Sequence, residues 1–167
     1  MPPESTLALL DPKGLLTGLE AAPDARRWLG FVLDGAHYAL PLDLVREVLP
    51  LAPLTEVPRA PERVLGVALL HGEVTTVCDP RRALGLPPAP WESPGRLLLV
   101  AFGGETLALR VDQVTRIHAL KDREIERAEH MSVDVGRCVA GIARPRIREG
   151  AGAGEALVVL LELSELV

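Results

Sequence analysis

Aromatic side chains are scarce: Phe, Trp and Tyr together make up 3% of the 167 residues. A core must therefore be built from Leu, Val and Ala. Single-stranded nucleic acid is usually held by exposed rings along a basic groove, and Trp28, Phe31, Tyr38, Trp91 and Phe102 are too few to line one. Positive charge is in deficit as well. Lys and Arg total 18 against 23 Asp and Glu, a formal net charge of −5, which is the opposite of a phosphate-binding footprint. The densest basic run, Arg144-Pro145-Arg146-Ile147-Arg148, is short and reads as a solvated loop. Cysteine is limited to Cys78 and Cys138, far apart and outside any CxxC spacing. They are expected to be free thiols in a reducing compartment. No apolar run reaches the 18 or so residues of a membrane span. Residues 1–20 lack the basic-then-apolar order of a secretory leader. The expectation is a cytoplasmic protein with no nucleic-acid partner and no direct membrane insertion.

Catalytic patterns are missing too. His37, His71, His118 and His130 show no HExxH or other metal spacing. There is no GxSxG around a serine and no GxxxxGK[ST] or GxGxxG to cradle a phosphate. The sequence nominates no catalytic residue, no metal ligand and no cofactor. An enzyme on this scaffold would need a carboxylate pair brought together by the fold, and a nucleic-acid binder would need the basic groove excluded above. Binding of other proteins is the function class left.

What is present is hairpin punctuation. Residues 28–33 and 36–42 flank Asp34-Gly35, 64–70 and 73–79 flank His71-Gly72, and 96–102 and 105–111 flank Gly103-Gly104. Two-residue loops ending in Gly fit the turns that match strand twist; Gly66 is read as a further structural turn. Leu107, Leu109 and Val111 alternate with Thr106, Ala108 and Arg110, as in a strand. Val67, Leu69, Val77, Leu99, Leu107 and Leu109 are expected in the core. The run 157–163 is apolar on both faces and should be a buried strand, preceded by a glycine loop at 150–154. Residues 80–85 suit one helical turn, with Asp79 as N-cap and Pro80 at the first position. Residues 122–130 are charged and suit a short helix or loop. Residues 1–27, with Pro2, Pro3, Pro12 and Pro23, read as an extension. Many short strands with frequent turns indicate an all-β fold with few short helices.

Several of these segments, in order, resemble the CheW-like chemotaxis coupling domain. They are Tyr38-Ala39-Leu40-Pro41-Leu42, Val45-Arg46-Glu47-Val48, Val57-Pro58, Val64-Leu65-Gly66-Val67, Leu70-His71-Gly72, Val77-Cys78-Asp79, Leu84-Gly85-Leu86, the run from Leu107 to Val114, and Val139-Ala140-Gly141-Ile142-Ala143. The resemblance spans residues 28–167. It implies two small SH3-like five-stranded β-barrels packed together, lobe 1 being about 28–64 plus 145–167 and lobe 2 about 65–144. It also implies a non-enzymatic adaptor that joins chemoreceptor cytoplasmic tips to the regulatory domain of a CheA-type histidine kinase in a receptor array. Val45, Glu47 and His71 fall where the family has its receptor-binding groove. Three departures stand out: His71 replaces an arginine, Thr76 a proline and Pro80 a leucine. They leave open a divergent member that binds only the receptor or only the kinase and modulates the array.

Overall fold

The structure is a computed structural model that describes residues 24–145 and 157–167. The glycine loop at 150–154, most of the 1–27 extension, and Arg146 and Arg148 lie outside those residues. The hairpins form where the glycine pairs place them. β1 (Arg26–Leu33) pairs with β2 (Ala36–Pro41), β5 (Val64–Leu70) with β6 (Glu73–Cys78), and β7 (Arg96–Phe102) with β8 (Glu105–Val111), all antiparallel. Both central residues of each turn have positive φ: Asp34 and Gly35 (50° and 78°), His71 and Gly72 (50° and 78°), Gly103 and Gly104 (57° and 81°). That is the turn whose twist matches the strands it joins.

The remaining strands are β3 (Val45–Pro50), β4 (Leu54–Thr55), β9 (Gln113–Leu120), β10 (Ile125–Arg127), β11 (Val139–Ala143) and β12 (Val158–Leu161). They complete two sheets. The first has the order β10-β11-β12-β2-β1-β9 and the second β3-β7-β8-β6-β5-β4. Each has five strands of four or more residues plus a shorter strand at one edge, β10 or β4. Two four-residue helices, α1 (Pro80–Ala83) and α2 (Leu163–Leu166), follow β6 and β12. Asp79 caps α1 by accepting the Arg81 backbone N–H at 3.0 Å, with Pro80 in the first turn. Residues 122–130 form two short 3-10 turns around β10.

The two sheets are built alike. In each, a hairpin is followed by a strand that leaves it and pairs with the first strand of the other hairpin: β3 crosses from β2 to β7, and β9 crosses from β8 to β1. Each sheet is then closed by a strand that runs parallel to its hairpin, β12 beside β2 and β6 beside β8. The sequence carries the same duplication. Residues 38–45 and 107–114 are identical at four of eight positions, namely Ala39 and Ala108, Leu40 and Leu109, Asp43 and Asp112, Val45 and Val114. Val64-Leu65-Gly66-Val67-Ala68 corresponds to Val139-Ala140-Gly141-Ile142-Ala143.

This crossing corrects the expected lobe boundaries. Residues 45–55 belong with the second sheet and residues 113–143 with the first. The 3-10 turn at Leu42–Leu44 redirects the chain just after the first hairpin, and chain order alone does not show such an exchange. Gly66 is also not a turn. It lies inside β5 at a register shift, where a Cβ would stand 2.2 Å from the Thr55 carbonyl oxygen of β4.

Three apolar clusters hold the fold. The largest lies between the sheets and includes Leu29, Phe31, Leu40, Val48, Leu98, Val100, Leu109, Ile117 and Leu161. Each sheet also wraps its own cluster, Trp28, Ala39, Leu120, Val158 and Leu160 in the first, and Ala68, Leu70, Val77, Leu97 and Leu99 in the second. Central strands therefore bury both faces, which explains the unbroken apolar runs of β7 and β12. Of the six expected core residues, Val77, Leu99 and Leu109 are buried and Val67 and Leu107 partly so. Leu69 is 66% exposed, because its face of the β5–β6 hairpin projects past the edge of the central cluster.

Candidate functional site

Glu47 lies on β3, at one edge of the second sheet, directly opposite Leu99. The register shift between Val45 and Glu47 lets Val45 and Val48 both reach the central cluster, while Glu47 shares the face of the buried Leu99. Glu47 is only 6% exposed. Its carboxylate oxygen Oε2 lies 2.9 Å from His71 Nε2. A carboxylate oxygen can only accept, so Nε2 carries the hydrogen of this bond. His71 sits at the tip of the β5–β6 hairpin, three strands away across the sheet. The contact is possible because the sheet curls round and brings its far hairpin back over β3. The His71 side chain is 52% exposed, so the pair presents an imidazole to solvent above a buried carboxylate.

Beside that imidazole the hairpin carries two bare apolar side chains. Leu69 and Val74 face each other across the ladder and are 66% and 74% exposed. Val45 is different. It is 7% exposed and packed in the central cluster, so it shapes β3 and offers no surface of its own. The sequence reading thus placed Glu47 and His71 together, but treated them as parts of two lobes. They belong to one sheet.

A second polar cluster, which sequence reasoning missed, ties the two sheets together. Asp112 stands where the chain crosses from β8 to β9. One of its oxygens accepts from Arg81 Nη2 and from the Asp34 backbone N–H (2.9 Å), and the other accepts from Arg110 Nη1 (3.3 Å). Both arginines are buried. Arg81 Nη1 also donates to the Pro87 carbonyl at 2.8 Å, and Arg110 Nη2 to the Ser93 carbonyl at 2.8 Å, with the Trp91 ring 5.7 Å from its guanidinium carbon. With a further bond from Arg110 Nη2 to the Pro90 carbonyl at 3.3 Å, the proline-rich connection between the two halves is fastened down at Pro87, Pro90, Trp91 and Ser93. The one signal in the sequence is that Arg110 and Asp112 lie in the duplicated segment, where Asp43 and Asp112 are identical.

On the first sheet, burial, helped by Arg116 and then His37, lowers the His118 pKa to about 4. Burial likewise raises the thiol pKa of Cys78 and Cys138. Among the described residues, no three His, Cys, Asp or Glu side chains gather as a metal site, and no helix is long and apolar enough to cross a membrane.

Residues 27–167 match the profile of the CheW-like domain. The chain belongs to the CheW-like family. Curated relatives agree. The chemotaxis protein CheW of Helicobacter pylori is 25% identical over 141 residues, which are 84% of this chain and 81% of that one. The CheW of Rhizobium meliloti is 28% identical over 115 residues, 69% and 74% of the two chains. Among solved structures, the scaffolding protein TtCheW from Thermoanaerobacter tengcongensis superposes with a TM-score of 0.70 at 22% identity, over 85% of this chain and 92% of that one. This CheW-like chain is accordingly placed with a non-enzymatic family of chemotaxis proteins.

Proposed function

We propose that this CheW-like chain is an adaptor that couples a chemoreceptor cytoplasmic tip to the regulatory domain of a CheA-type histidine kinase, at receptor arrays in the cytoplasm. We further propose that the tip of the β5–β6 hairpin is the receptor-facing surface. The observation that carries this reading is the buried Glu47 carboxylate bonded to His71, beside the exposed pair Leu69 and Val74. A buried carboxylate that fixes a half-exposed imidazole gives the surface one oriented polar group. Two large apolar side chains beside it supply the desolvated contact area that protein interfaces use.

The replacement of arginine by histidine favours a second reading, in which only one of the two partners is bound. An imidazole offers fewer donors than a guanidinium and no permanent charge. The experiment is calorimetric titration of the full chain with a receptor tip and, separately, with the kinase regulatory domain. Wild type, His71→Arg and the double variant Leu69→Ser/Val74→Ser are compared. Loss of receptor affinity in the double variant, with the kinase affinity kept, supports the hairpin as the receptor face. Equal affinities for all three proteins sink it.

A further inference from the structure

Phe102, the last residue of β7, is a third apolar side chain left open at the hairpin end of the second sheet, 39% exposed. The strand registers put it in line with Leu69 and Val74. Phe102 faces Glu105 across the β7·β8 ladder, and Leu69 faces Val74 across β5·β6. β6 runs parallel to β8 with Val77 beside Ala108 and Cys78 beside Leu109, so the same register sets Val74 beside Glu105. One row therefore crosses four neighbouring strands in the order Leu69, Val74, Glu105, Phe102. It holds three of the six large apolar side chains that are exposed among the described residues, a concentration that marks an interaction site.

The four side chains share one face of the sheet. Further along the same strands, that face carries Val64, Cys78, Leu109 and Val100, which pack into the cluster between the sheets. One body, the first sheet, thus covers all four strands there, and one further body can cover them at the row. The charge on offer has one sign. Residues 69–76 and 100–107 contain Glu73 and Glu105 and no Lys or Arg. A partner that fits is apolar over Leu69, Val74 and Phe102 and basic over Glu105.

The spacing says what form that partner takes. Neighbouring strands lie about 4.8 Å apart, so the row from Leu69 to Phe102 is about 14 Å long. A helix rises about 1.5 Å per residue, so its residues i, i+3, i+7 and i+10 share one face and advance by about 4.5, 10.5 and 15 Å. We infer that the row takes an amphipathic helix laid across the four strands. Three apolar side chains of that stripe meet Leu69, Val74 and Phe102. A Lys or Arg meets Glu105, at i+7 or, in a helix running the other way, at i+3. This deepens the receptor-face reading and rests on it: the helix belongs to the receptor tip, and Glu105 is a specificity-determining residue of the surface.

Titration calorimetry of the full chain with a receptor-tip fragment tests this. Phe102→Ser and Glu105→Lys should each weaken binding by ~10-fold or more. Glu105 is exposed, so the melting temperature of Glu105→Lys should match wild type. Reversing one Lys or Arg of the tip helix to Glu should restore its affinity for the Glu105→Lys chain, and that residue should stand in the i, i+3, i+7, i+10 stripe. Wild-type affinity in both variants, with affinity lost in Leu69→Ser/Val74→Ser, keeps the hairpin as the receptor face and overturns the four-strand row. So does rescue only by a tip residue outside that stripe. Unchanged affinity in all three variants, or no binding by wild type, removes the receptor-face reading and the inference with it.

Discussion

Gly66 and Gly141 occupy the same place in the two halves of the molecule. Each lies at a register shift inside the strand that follows a short edge strand, and each lets a carbonyl of that edge strand come where a Cβ would be. The distances are 2.2 Å to Thr55 O for Gly66 and 2.7 Å to Glu126 O for Gly141. Backbone rather than a flexible side chain stands in the way. Gly66→Ala and Gly141→Ala should each destabilise by about 1–3 kcal/mol, the usual cost of overpacking. Urea unfolding of the two variants checks this, and midpoints within error of wild type would show that β4 and β10 move aside freely.

Asp112 is the anion shared by two buried arginines. Asp112→Asn keeps the shape but removes the charge, leaving Arg81 with the distant Asp34 carboxylate at 3.8 Å and Arg110 with carbonyls and a ring. Breaking a fully buried pair costs about 3–5 kcal/mol. Asp112 is a quarter exposed, so a loss nearer ~2 kcal/mol is expected after solvent screening. Thermal unfolding should show it, and cleavage in the 86–95 connection under limited proteolysis should rise in parallel.

Acid should weaken the first sheet before the second. The His118 pKa is lowered to about 4 in the folded protein, against about 6.5 in an unfolded chain. Between those values the unfolded chain binds more protons, so stability rises with pH through this window. Above pH 6.5 the full stability is present, and it falls progressively toward pH 4. The total is of the order of 3 kcal/mol. His118→Gln should flatten that part of the stability–pH curve. An unchanged slope from pH 4 to 6.5 in the variant would assign the acid sensitivity elsewhere.

At the hairpin, Glu47 and His71 should separate stability from binding. Glu47 is buried, so Glu47→Lys would place an unpaired ammonium inside the second sheet and unfold it, which makes it a poor probe. His71→Asn is better. Asn tolerates the left-handed backbone at this turn, and the imidazole's hydrogen bond to Glu47 is lost. The expected stability cost is about 1–2 kcal/mol, because the buried Glu47 carboxylate loses its donor. Receptor-tip affinity should drop several-fold while the melting temperature stays within a few degrees. A large drop in melting temperature with unchanged affinity would make the pair a structural latch only.

The hairpins were legible because their turns demand glycine at fixed positions, and the same holds for the Asp79-Pro80 helix start. The β12 strand was legible from a run apolar on both faces, and it lies between β2 and β11 as such a run requires. Strand exchange was not legible. Nothing local marks β3 and β9 as crossing, since their alternation is satisfied in either sheet. Leu69 was misread because alternation reports which residues share a face, not how far a neighbouring sheet extends over it. Glu47 and His71 were singled out by likeness to a family motif. Their spacing alone gave no reason to expect a 2.9 Å contact between an edge strand and a distant hairpin.

The reciprocal crossing of β3 and β9 has a mechanical side. Two lobes joined by a linker can bend about it and absorb a displacement applied to one of them. Here each lobe is completed by a strand borrowed from the other half, and Asp112 bolts the point where one of those strands passes over. Bending would have to tear a ladder rather than turn a hinge. A push on the His71 hairpin therefore meets hydrogen-bonded strands, not a free joint, on its way to the far sheet.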